Sequence, residues 1–311
     1  MVIRPWTFLA LVALASPLSA QDVDGPTPPL PGDHFSVYRG DGTDASLDDV
    51  LAALEDADVL LVGEEHGNPV GHMLEESLLS GAVERMRGTS RWVTLSLEMF
   101  ERDVQYVVDE YLSGLITEQH FLESARPWPD YENRYRPLVE LAREEGLPVV
   151  ASNAPRRYVN RVTREGSGAL DVLGPLARFY LPPLPYPGPS AEYRAQWDDV
   201  MAEAMAAAGA HGDSTATREY AGSENALQAQ ALWDAAMGHA VAGALDVAPG
   251  ALVIHFAGSF HVERGTGIAE RIEDYRPGTR AVSVVMTQVE DVGAWDDSAH
   301  RGLADFVILT R

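Results

Sequence analysis

Four apolar runs of this chain end in residues able to hold a metal ion or move a proton. Val59 to Val62 stops at Gly63 and delivers Glu64, Glu65 and His66; WVTLSLEMF carries Glu98, LPVVASNAP carries Asn153, and ALVIHFAGSFH ends in His261. The imidazoles of His66 and His261 with the carboxylates of Glu64 and Glu98 suffice for a divalent metal site, manganese or zinc, or for an acid–base set that activates water. A neighbouring carboxylate orients an imidazole and raises its basicity. Gly63 and Gly258 allow a sharp turn after a strand and close approach of a ligand. Glu64 and His66, two residues apart, point to one side of an extended backbone and Glu65 to the other. Taken singly, each of these residues also fits a strand that merely ends in water. It is their gathering that points to a site, because open α/β sheets bind ligands at the carboxyl ends of their strands. His72, just beyond the first motif, reads equally as a ligand or as an exposed helix residue, and His255, inside an apolar run, reads as a satisfied core histidine.

These residues need a sheet to carry them. The apolar runs are too short for helices and lack polar alternation, which is the signature of parallel strands buried on both faces. HFSVYRG, AVSVVMTQV and DFVILTR complete the strand set. Between the strands lie helical stretches. Ser46 caps one, Gly71 to Arg87 has helical apolar spacing, and Ala191 to Ala208 and a helix from Ser223 to about Leu245 follow; Gln230, Asp234 and Met237 share a face of the last. The fold class is therefore α/β, with a mostly parallel central sheet flanked by helices. The Gly71–Arg87 crossover is expected to set the Glu64 and Glu98 strand ends side by side. Residues 100–146, rich in aromatics (Tyr106, Tyr111, Phe121, Trp128, Tyr131, Tyr135), read as a helical insertion over the carboxyl edge of the strands, and the proline-rich residues 180–190 as a rim loop.

Composition narrows the chemistry. The 311 residues are 46% hydrophobic, enough for one large domain, placed at 35–311. Residues 1–20, with Arg4, an apolar run from Trp6 to Ala15 and small residues after it, have the layout of a cleaved signal peptide, and 21–34 form a Pro/Gly-rich leader. A periplasmic or secreted protein is expected, with no transmembrane segment after cleavage. Cysteine is absent, which excludes thiol catalysis, disulfides and a lipid-anchor cysteine. Lysine is absent too, which excludes Schiff-base chemistry and a P-loop lysine. A net charge of −24 argues against nucleic acid as a partner.

In order along the chain, GEEHGNPVGH, SLEMFERDVQ, ASNAPRRYV, QALWDAAM and AGSFHVERG resemble the motifs of the ChaN-like haem-binding uptake family, over roughly Leu60 to Gly265. That family is similar in turn to the Tiki, TraB and erythromycin esterase proteins. The resemblance implies a parallel α/β sheet, export, and haem as ligand in iron uptake, with haem held between two subunits of a homodimer and an outer-membrane haem receptor as a further partner. The positions that match are Glu64, His66, Glu98, Asn153 and His261. The resemblance implies a surface tyrosine as haem ligand; Tyr131, Tyr135 and Tyr158 lie near the expected open edge, with Asn153 beside them and Arg156 and Arg157 suited to propionates. The chain departs from the family in having Gly67 where an acidic residue usually follows the histidine, and in having no lipid-anchor cysteine. The wider superfamily implies an alternative, a metal-dependent protease or esterase working through Glu64, His66, Glu98 and His261.

Overall fold

The computed structural model describes residues 34–211 and 223–311. The signal-peptide and leader segments up to residue 33 lie outside the described residues. Eight strands form one sheet: β1 (Phe35–Arg39), β2 (Asp44–Ala45), β3 (Val59–Glu64), β4 (Val93–Glu101), β5 (Val149–Asn153), β6 (Leu252–Gly258), β7 (Ala281–Gln288) and β8 (Phe306–Thr310), in the order β2-β1-β8-β7-β3-β6-β4-β5. Strands β3 to β8 run parallel, while β1 is antiparallel to β2 and β8. Every residue of β3 and β6 is buried, as the unbroken apolar runs require when helices cover both faces. The α/β class and the mostly parallel sheet read from sequence are what the chain forms.

One expectation is corrected. Strands β3 and β4 are not neighbours, because β6 lies between them and pairs with both. The connection is the 18-residue helix α2 (Pro69–Met86), which follows α1 (Leu47–Ala53). At 1.5 Å per residue α2 is roughly 27 Å long, against about 5 Å per strand position, so skipping one position costs nothing sterically. Strand adjacency in a βαβ unit is a tendency that a later, fully apolar strand can override. The consequence for the site is favourable: Glu64 pairs with Gly258 in register, and the ends of β3, β6, β4 and β5 stand in one row.

Helices α3 (Gln105–Leu112), α4 (Glu118–Ala125), α5 (Tyr131–Arg134) and α6 (Arg136–Glu145) occupy the insertion. They are followed by α7 (Arg156–Glu165), α8 (Pro175–Phe179), α9 (Ala191–His211), α10 (Glu224–Val247), α11 (Ile268–Tyr275) and α12 (Asp297–His300). Helix α10 presents Met237, Val241 and Leu245 to Val59, Leu61, Val253 and Ala257 of the sheet and to Ile268 and Ile272 of α11. Residues 180–190 form neither helix nor strand. Among the described residues no helix is long and apolar enough to cross a membrane.

Candidate functional site

Glu64, the last residue of β3, is 2% exposed. Its Oε1 accepts hydrogen bonds from Tyr135 Oη (2.8 Å) and His66 Nδ1 (2.6 Å). Burial alone would raise its pKa, but hydrogen bonds from His66, His72 and Glu75 outweigh burial and hold the carboxyl well below its usual range. Glu65 faces away and accepts the Gln288 N–H. His66 is half exposed, with Trp128 edge-on at 5.0 Å, and the bond to Glu64 raises its pKa. Its Nε2 edge turns toward β6, where a Cβ on Gly258 would stand 3.1 Å from the ring. Here glycine leaves the His66 ring its room, and its φ of −58° suits any residue.

Glu98 lies where the β4–β5 register breaks, between Leu97 and Glu101, an irregularity that re-aims a side chain. One of its oxygens accepts the Gly258 N–H (2.8 Å), and the other is 3.7 Å from His261 Nε2. The His261 Nδ1 donates to Asp234 Oδ1 (2.6 Å) on α10, and the second oxygen of Asp234 accepts from Tyr193 Oη. Burial would lower the His261 pKa; the charges of Asp234 and Glu98 overcome it and push the pKa to about 9. The strand row thus carries two imidazole–carboxylate pairs, Glu64–His66 and Asp234–His261, with Glu98 between them. This arrangement can position water and exchange protons.

Of the four residues read as one metal set, Glu98 lies 3.7 Å from His261 Nε2, and a Cβ on Gly258 would lie 3.2 Å from His66 Nε2 and 3.8 Å from Glu98. Glu64 stands behind His66 as its orienting carboxylate, and among the described residues the ligand atoms that converge, all within 4.8 Å of one another, belong to Glu64, His72 and Glu75. His72 is 7% exposed, so it is not the exposed helix residue of the plainer reading. His255 is fully buried and bonds Ser96 Oγ through Nδ1 (2.8 Å), while its Nε2 has no partner, so it is only half satisfied. Glu75, Asp234 and Tyr193 had no role in the sequence reading. The spacing of His72 and Glu75, i and i+3 on one helix, was the signal for the first; the polar face of α10 hinted at the second; nothing pointed to Tyr193.

Of the haem-ligand tyrosines, Tyr131 and Tyr135 are not at an open edge. Tyr131 is 5% exposed between Phe100 and Phe121, and Tyr135 is 0% exposed and committed to Glu64. An aromatic-rich insertion needs a core of its own, and these rings build it. Tyr158 is half-buried under the Arg157 guanidinium (4.5 Å), Arg157 also pairs with Asp103, and Arg156 is exposed. Asn153 ends β5 buried, with its Oδ1 unpartnered.

A separate groove of about 940 Å³ runs along β5 between α3 and α10, lined among others by Arg102, Phe179, Tyr180, His239 and Val247. Phe179 and Val247 are 74% and 88% exposed, an apolar rim. Arg102 donates to His239 Nδ1 (3.1 Å) and has no carboxylate partner among the described residues; burial lowers its pKa. Burial and the Arg102 charge lower that of His239. Arg102 lies in the SLEMFERDVQ motif and Tyr180 at the start of the proline-rich rim, but neither they nor His239 stand out in the sequence as ligand residues.

Among solved structures, the ChaN protein of Campylobacter jejuni, described with cofacial heme binding, matches with a TM-score of 0.66 and 15% identity over 90% of this chain and 98% of that one. The type III effector HopBA1 (TM-score 0.45, 12% identity, 90% and 98% covered) and an erythromycin esterase in its open conformation (0.44, 9%, 88% and 97%) also match. No curated protein matches the chain. The sequence model of the family described as haem-binding uptake, Tiki superfamily, ChaN, matches residues 50–272, well over half of the chain, and the protein belongs to that family.

Proposed function

We propose that this is an exported haem-binding protein of iron uptake that takes haem into the groove along β5. The observation that supports it is the meeting there of a phenol (Tyr180), an imidazole (His239), a guanidinium without a carboxylate (Arg102) and an apolar rim, in about 940 Å³. Haem asks for that donor set: an oxygen or nitrogen on iron, a cation for propionates, and apolar walls. A neutral His239 that accepts from Arg102 at Nδ1 keeps its proton on Nε2, so Tyr180 is the better ligand and His239 orients Arg102. Bound haem would supply the ferric centre and two propionates. The exposed Leu176, Phe179 and Val247 suit a second copy of this chain closing over the groove, which would fit the cofacial heme binding named for the Campylobacter protein, and an outer-membrane receptor is the proposed destination.

Absorbance titration of the full chain with ferric haem tests this. Saturable binding with a tyrosinate-type spectrum, weakened by Tyr180→Phe and Arg102→Gln but not by Tyr158→Phe, is expected. No saturable uptake, or sensitivity to Tyr158→Phe alone, overturns the groove assignment.

The two imidazole–carboxylate pairs favour a second reading, hydrolysis of an ester or amide. In it His66 Nε2 takes a proton from water while Glu64 steadies the imidazolium, and His261, held by Asp234, returns a proton to the leaving group. Turnover of model esters unchanged by His66→Ala and Glu98→Ala would sink it.

A further inference from the structure

We propose that Glu64, His72 and Glu75 hold a divalent first-row cation, Mn²⁺ or Zn²⁺, behind His66, at a site independent of the haem groove. His72 carries the argument. Its Nε2 lies 3.2 Å from the main-chain oxygen of His66, and a carbonyl can only accept, so Nε2 donates. The neutral ring then has its lone pair on Nδ1. That lone pair faces Glu64 Oε2 at 3.2 Å and Glu75 Oε2 at 3.1 Å. A lone pair against two carboxylate oxygens repels, so a cation must lie among them, either a proton or a metal ion.

Two further observations favour the metal. Glu75 is 0% exposed with Oε1 unpartnered, so a buried carboxylate oxygen is left over once the bonds among Glu64, His66 and His72 are made. Buried charge of that kind is paired or coordinates a metal. The ligand atoms of the three residues lie within 4.8 Å of one another, and their chemistry, one imidazole and two carboxylates, is that of zinc and manganese sites. The carbonyl that receives the outer nitrogen of His72 is the support that metal-bound histidines commonly have. Access is present: a pocket of about 290 Å³ reaches His72 from the surface, with Glu76, Asp130 and Asn133 on its walls. Because Glu64 bonds His66 through its other oxygen, the cation would be one residue removed from His66, and Tyr135 would steady the shared carboxylate.

The test uses the full chain, stripped with chelator and free of haem, titrated with MnCl₂ and with ZnCl₂ by calorimetry. One ion per chain is expected, with affinity reduced at least ~10-fold by Glu75→Gln and by His72→Ala and kept by His66→Ala and His261→Ala. Pulsed EPR of the Mn²⁺-loaded wild-type protein should show nitrogen coupling from a single imidazole, a readout that stands even if a variant fails to fold. A shared proton instead of a metal would appear as no saturable uptake of either ion. That outcome, two coupled imidazoles, or loss of binding in His261→Ala but not in Glu75→Gln would overturn the proposal, and none of these bears on haem uptake in the groove.

Discussion

His255 gives the chain an acid-sensitive element whose size follows from its surroundings. It lies in the middle of β6, fully buried, with Ser96 Oγ as its hydrogen-bond partner, and burial, with the His261 charge adding to it, lowers its pKa from 6.5 to about 3. Between those values the unfolded chain binds a proton that the native chain does not. Stability is therefore complete above about pH 6.5 and is lost as pH falls toward 3. At pH 4.5 the ring is two units below its unfolded value, and at 1.36 kcal/mol per unit the loss is about 2.7 kcal/mol. Acidic side chains titrate over the same range, so the wild type alone cannot isolate this contribution. His255→Asn removes it and leaves them in place. In urea unfolding, the stability advantage of wild type over His255→Asn should shrink by about 2.7 kcal/mol between pH 7.5 and pH 4.5. An advantage that stays constant across that range would show that His255 is not held neutral, and the reasoning would fall.

Asp234→Asn acts in the opposite direction. The His261 pKa is raised to about 9, so the stability it contributes is complete below pH 6.5 and is lost as pH rises through 9; unfolding at pH 6 should show a loss of about 3 kcal/mol that narrows by pH 9.5. Gly238 of α10 sits so close to α11 that a Cβ would meet Arg271 Cβ at 2.4 Å and its backbone carbon at 3.0 Å. Gly238→Ala should therefore lower stability by about 1–3 kcal/mol, read as a drop in the thermal midpoint, because backbone cannot step aside. Gly258→Ala presses instead on the half-exposed His66 ring, so thermal stability should change by less than about 1 kcal/mol while the His66 NMR signals shift; a large fall in midpoint would show that the ring cannot yield.

The strand ends were legible because each lies within one short window: an apolar run, a glycine, then an ionisable residue. What joined them was not. That β6 inserts between β3 and β4 depends on pairing between residues nearly two hundred positions apart, such as Val59 with Val253, and local pattern holds no record of it. Asp234 finds His261 across a contact between α10 and the turn after β6, which local pattern likewise does not record. The tyrosines failed differently. An aromatic on an insertion reads alike whether it faces solvent or closes a small core, and Tyr131 and Tyr135 do the latter. His72 was ambiguous between ligand and surface; Glu75 one turn along α2 resolves it, since two polar residues on the buried face of an otherwise apolar helix must answer each other.

The strongly acidic composition sharpens the case for the groove. In a chain with 47 acidic residues and 23 basic ones, most described arginines are engaged by a carboxylate, among them Arg85, Arg126, Arg136, Arg157 and Arg194. Acid is abundant, so an arginine in a largely buried position without one needs a reason. Arg102 is such a residue: it loses solvation in the groove wall and, among the described residues, has His239 Nδ1 and the Ala236 carbonyl as its hydrogen-bond acceptors. A carboxylate from a bound ligand would complete it. Arg102→Gln should thus leave the apo protein as stable as wild type or more so, while weakening haem uptake, and only that combination separates a cation kept for a ligand from one kept for the fold. A variant that unfolds more readily and binds haem normally would show that Arg102 serves the scaffold alone.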